Sequence, residues 1–246
     1  MQINPKNDIT GLSSFIMKIS SAQNGNILII ILVAVILFAA LTAAVTQGER
    51  SGADNLTSEK TRLLADEIID YSNSITTATA QLRLRGVSLV NIRFSDYNLN
   101  VGNYGTFNSN PTHEIFNPNG GGVHYADPSD EILVNTGQKW QFVANNRVHH
   151  IGKDCNAASC SELLMVLAGV KKDICVAIND KLSVTNPSGN PPIDNDMNLT
   201  AYFNGIMGYS GAIGEDSGSS LANNPAACLY DDGDDLYIYY QVLQSQ

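Results

Sequence analysis

The sequence predicts an α+β chain. One long N-terminal helix, a membrane half followed by an amphipathic half, packs on an antiparallel β-sheet with short extra helices. Three observations predict it. Ile27–Val45 is a run without a charge, apolar on every face. Behind it, Leu64, Ile68, Tyr71, Ile75, Ala78 and Leu82 recur at alternating spacings of four and three, one stripe of a helix. After Gly86 the pattern changes to short β-like runs broken by turns, closing with Leu236–Leu243.

Residues 1–25 form a polar leader segment that ends in small and polar residues. Residues 26–47 read as a transmembrane helix, because Ile27–Val45 at ~1.5 Å per residue spans ~29 Å, about the hydrocarbon core of a bilayer. Lys6 and Lys18 precede the run, and Glu49 and Arg50 cancel behind it. This lysine bias puts the N-terminus in the cytoplasm. The expectation is a single-pass protein of the inner (cytoplasmic) membrane with its C-terminal domain periplasmic or extracellular. A cleavable secretory signal, with Thr42 and Ala44 near the cut, fits less well, since the apolar run exceeds the usual signal core.

Residues 48–86 form a hinge, with Gly48 and Gly52 weakening the helix locally, and then the amphipathic helix. Arg83 and Arg85 occupy its last turn and Gly86 takes the left-handed cap. Residues 87–246 form the globular exported domain. Its strand candidates are Ser88–Phe94, Gly122–Ala126, Trp140–Ala144 and Arg147–Ile151, with Asn145–Asn146 as a hairpin turn. Ser159 and Glu162 make a capping box that opens a short helix over Leu163–Ala168, closed by Gly169. Ile174, Ala177, Ile178 and Leu182 mark a second helix, and Asn186–Asn198 a loop.

Composition narrows the function. The formal net charge of the 246 residues is −10, and Lys6, Lys18 and Asp8 are the only charges before Gly48. So acidic an exposed domain repels phosphates and excludes nucleic acid as a partner. The four cysteines fit an oxidising compartment and disulfides. Of the three pairings that four cysteines allow, Cys155–Cys160 is expected to close a local loop, and Cys175–Cys228 to tie the second helix to the last strand.

The glycine before an apolar helix, its amphipathic continuation to Arg85, and a strand-rich region with paired cysteines resemble the type IV pilin-like proteins, which include pilus subunits and type II secretion pseudopilins. The resemblance covers the chain as architecture, and residues 25–45 as a prepilin-type motif. It implies a pilin-like fold and leader processing between Gly25 and Asn26 by a prepilin peptidase. It further implies a structural subunit of a type IV pilus or secretion pseudopilus, located in the inner membrane and then in the pilus, whose partners are other pilin or pseudopilin subunits. The chain departs from that pattern at Asn26, where Phe or Met is usual, and at Ile30, where a glutamate is usual. These departures point to a minor or divergent subunit. The alternative is a single-pass, membrane-anchored binding or adhesion module that does not polymerise.

An enzyme is not expected. The chain has four histidines, His113, His124, His149 and His150, and none of the HExxH, GxSxG, Walker or dinucleotide-binding patterns. His149 and His150 with Cys155 and Cys160 could be drawn as a zinc site, but export favours disulfides. Asn117–Gly122 could cradle an anion, but a glycine-rich turn needs no ligand. No cofactor is expected, with one opening for calcium. Asp231, Asp232, Asp234 and Asp235 crowd four carboxylates into five residues, which a hard cation would relieve. A hydrated acidic turn is the favoured reading.

Overall fold

The structure, a computed structural model, describes residues 26–216 and 219–246, with side chains at 26, 43–56 and 101 left aside. The chain divides into two units, Met1–Asp54 and Asn55–Gln246. Helix α1 is assigned over Asn26–Leu84, through the glycines of the expected hinge. In the first unit its described side chains, from Ile27 to Thr42, are all exposed. No helix among the described residues is long and apolar enough to cross a membrane. The expected transmembrane helix and single-pass inner-membrane location are corrected accordingly.

In the second unit α1 behaves as its stripe predicts. Ile68, Ile75, Ala78 and Leu82 are buried and Leu64 is half-buried, whereas Glu59 and Asp70 are exposed and Asp66 is intermediate. Gly86, at φ 88°, donates to Arg83 O at 2.9 Å, and Val87 N–H returns to Leu82 O at 3.1 Å. Those two bonds satisfy carbonyls that the helix end would leave unpaired, the usual reason for glycine there.

Five strands follow: β1 (Gln141–Val148), β2 (Glu162–Ala168), β3 (Gly211–Ile213), β4 (Ala226–Asp231) and β5 (Leu236–Gln244). Their order is β3-β1-β2-β5-β4. β1–β2, β2–β5 and β4–β5 pair antiparallel, but β1 and β3 run parallel. The sheet is therefore mixed, and the expected pilin-like fold on an antiparallel sheet is overturned. The remaining helices are short: α2 (Val101–Tyr104) and α3 (Lys172–Leu182), the latter covering the stripe expected of the second helix.

Two expected elements change identity. Leu163–Ala168 is not a helix but most of β2, every residue of which is buried. Leu163, Met165 and Leu167 join the core shared with α1, Phe94 and Phe142. Leu164, Val166 and Ala168 join the core of Ile213, Leu229 and Tyr240 on the opposite face. A strand covered on both faces is apolar at every position, which hides its period of two. Nor do Asn145 and Asn146 turn the chain. β1 runs straight through them, with a register shift against β2 between Val143 and Asn146. Both asparagines are buried, and their side chains bond outward instead. Asn145 Nδ2 donates to Ser210 Oγ at 2.7 Å, and Asn146 Nδ2 donates to Asn198 O at 2.7 Å. The strands expected at Ser88–Phe94 and Gly122–Ala126 are a 3-10 turn at Leu89–Asn91 and a segment without regular secondary structure.

Candidate functional site

Gly25, the expected leader-processing residue, lies outside the described residues, and Asn26 is the first residue of α1. Behind it Ile27, Leu28, Ile29, Ile30, Leu32, Ile36, Leu37, Phe38 and Leu41 expose between 57% and 73% of their surface. Monomers rarely expose contiguous apolar patches beyond about 300–600 Å², and larger ones mark sites of interaction.

The cysteines pair as expected. Cys155–Cys160 closes a loop of sequence separation 5, and Cys175–Cys228 joins α3 to β4 across a separation of 53. Asn179, one turn along α3 from Cys175, clasps the backbone of Cys228. Its Nδ2 donates to Cys228 O at 2.7 Å and its Oδ1 accepts from Cys228 N–H at 2.8 Å. A sulfur in a disulfide carries no thiolate charge, so neither Cys155 nor Cys160 can ligate zinc as drawn from the sequence.

The acidic residues 231–235 sit at the β4–β5 hairpin, and each named partner is internal. Asp231 Oδ1 accepts from the backbone of Gly233 at 3.0 Å and of Asp234 at 3.1 Å. Asp232 Oδ1 accepts from Asn195 Nδ2 at 2.5 Å, while Asp235 Oδ1 accepts from the Tyr230 hydroxyl at 2.7 Å. These bonds partly satisfy the crowded carboxylates without a cation.

A different set of ligand-bearing groups converges at the end of β1. Ligand atoms of His149, His150 and Asp154 all lie within 4.8 Å of one another. Adjacent residues of a strand point to opposite faces, so two neighbouring histidines should diverge. They do not, because β1 has ended at Val148 and Ile151 N–H closes a turn onto Val148 O at 3.0 Å. Within that turn His150 takes a left-handed φ of 63°, and the two rings come together with centroids 3.8 Å apart. Asp154 Oδ2 faces both rings, 3.1 Å from His149 Nδ1 and 3.5 Å from His150 Nδ1. Its Oδ1 is held by Arg147 at 2.9 Å. In the sequence these histidines could be drawn only with Cys155 and Cys160, and that drawing was set aside in favour of disulfides, as Cys155–Cys160 shows. The group that the structure brings to them is Asp154, one residue before the local disulfide.

Two buried carboxyls flank the same part of the sheet. Glu162 Oε2 accepts the Val148 N–H at 2.7 Å, while its Oε1 is buried without a partner. Burial pushes its pKa up to about 7 against the pull of that bond and of Arg147. Asp194 accepts from Gly214 at 2.7 Å and Asp196 at 3.2 Å, yet burial raises it to about 6. Glu162 was expected to cap a helix; it is a buried cross-strand acceptor instead.

Comparison with known proteins adds no name to these arrangements: no family model, curated protein or solved structure matches the chain.

Proposed function

We propose that this chain is a structural subunit of a filamentous assembly of the pilus or secretion-pseudopilus kind, joined to related subunits through the apolar part of α1. One observation carries the reading: the side chains from Ile27 to Leu41 are apolar and exposed on all sides of the helix. Removing such a surface from water is strongly favourable, and neighbouring helices of the same character supply the burial. Two disulfides and a sheet covered on both faces suit a domain displayed on the outside of such an assembly. Ile30 stands where the resemblance expects a glutamate, so this chain serves as a minor component beside partners that carry one.

Photo-crosslinking tests the reading. A photoreactive side chain is placed singly at Ile29, Val33, Ile36 or Leu37 of the full chain, expressed in its native cells. Subunit-to-subunit products that vary in yield with position along the helix are expected, because a packed seam has a register. Uncrosslinked monomer at all four positions overturns the proposal and leaves a binding module that does not polymerise. Mass spectrometry of the same material reads the mature N-terminus, with Asn26 expected as its first residue.

A further inference from the structure

The cluster at the end of β1 has the donor set of a metal site, independently of how the chain assembles. We propose that His149, His150 and Asp154 bind one Zn²⁺ ion, with a water in the remaining position. Two imidazole nitrogens and one carboxylate oxygen are ligand types that zinc accepts, at bonds of about 2.0–2.2 Å. In a tetrahedral site with such bonds, neighbouring ligand atoms lie ~3.3 Å apart. The separations of 3.1 and 3.5 Å from Asp154 Oδ2 to the two Nδ1 atoms bracket that value.

The surroundings hold the ligands in place. His149 is pinned on both sides of its peptide, its N–H donating to Ile213 O at 2.9 Å and its carbonyl accepting from Asn223 N–H at 2.9 Å. The turn places His150 beside it. Asp154 is fixed from two directions, by the Arg147 guanidinium on Oδ1 and by the neighbouring Cys155–Cys160 loop. Arg147 thereby acts as a positioning residue: it holds Oδ1, which also lies 3.2 Å from His149 Nδ1, and so keeps Oδ2 facing both imidazoles. Partners that orient a ligand in this way commonly change metal affinity ~10–100-fold. The cluster is also reachable, since the side chains of His149, His150 and Asp154 are 26%, 53% and 31% exposed.

The test titrates the metal-stripped full chain, both disulfides formed, with zinc sulfate against a chromophoric chelator. One Zn²⁺ per chain is expected. His149→Ala, His150→Ala and Asp154→Asn should each weaken binding by at least ~10-fold, whereas His113→Ala, His124→Ala and Asp232→Asn should leave it unchanged. Disulfide mapping and circular dichroism confirm that each variant is folded. A second measurement needs no variant: zinc should shift the ring resonances of His149 and His150 and spare those of His113 and His124. Absence of binding, or binding that follows His113, His124 or the acidic turn, overturns the proposal.

Discussion

The segment Ile27–Thr42 and strand β2 are both charge-free apolar runs apart from Glu162, and both look helical in sequence, yet the molecule treats them in opposite ways. In the first, the apolar side chains are exposed around a helix. In the second, six successive apolar residues are fully enclosed, alternating between two separate cores. Length decides part of the difference. A run of six fits one strand's passage through a domain, whereas a longer run on a helix presents more apolar surface than its own unit covers. Topology decides the rest: β2 is central, with β1 on one side and β5 on the other. Apolar composition thus identifies surface that favours burial, and the central position of β2 in the sheet is what encloses its run within the chain.

The sharpest way to break that comparison is to put the same charge in both places. Leu164→Asp introduces an unpaired carboxylate at a fully buried site in β2 and should cost more than ~4 kcal/mol, enough to prevent folding. Val33→Asp changes an exposed position and should leave the melting of the Asn55–Gln246 unit where it was. Its effect should fall on association, with subunit crosslinks lost. Calorimetry and crosslinking of the two variants read both outcomes. Equal thermal shifts would mean that the α1 segment is buried within the chain after all.

The disulfides sharpen the contrast between local and long-range order. On chain-entropy grounds Cys175–Cys228 should contribute ~4 kcal/mol and Cys155–Cys160 ~2 kcal/mol, because the stabilisation grows with the loop closed. The longer one is also embedded, with both half-cystines fully buried and Cys228 clasped by Asn179. Paired Cys→Ala substitutions in each disulfide, melted in parallel, should therefore separate clearly. Removal of Cys155–Cys160 should instead be felt at Asp154, as weakened zinc binding. A larger melting loss from the small loop than from the large one would reverse the ranking.

What could be read from the sequence follows the same division. The amphipathic stripe through Ile68, Ile75 and Leu82, the left-handed Gly86, α3, the closing strand and both cysteine pairs were legible, because each rests on a local pattern or a covalent constraint. β2 was not, since burial on both faces erases alternation and Ser159–Glu162 mimics a helix start. Asn145–Asn146 reads as a turn until the loop carrying Asn198 and Ser210 is present to accept and donate its bonds. The parallel β1–β3 pair joins residues over sixty positions apart and has no local signature. The histidine cluster was half legible: the two rings stand out in the sequence, but their convergence needs the turn at His150.

The smallest effect expected concerns pH, and it tests whether the doubly covered sheet really encloses its carboxyls. Asp194 is 4% exposed and its pKa is pushed up to about 6 by burial, from 3.8. Between those values the folded chain holds a proton at Asp194 that the unfolded chain has released. Stability then falls as pH rises, since the unfolded state binds fewer protons. The favourable contribution is complete below pH ~4 and is lost as pH passes ~6. Glu162, raised to about 7, adds a slope of the same sign that continues to higher pH. Asp194→Asn removes the first contribution and keeps the second. Each tenfold change in proton affinity is worth ~1.4 kcal/mol, so the pH dependence of wild type and variant should differ by about 2 kcal/mol from pH 4 to pH 7. Denaturant titrations of both proteins at several pH values measure it. Parallel curves would show that Asp194 is solvated in the folded chain, and that water reaches deeper along this face of the sheet than its burial implies.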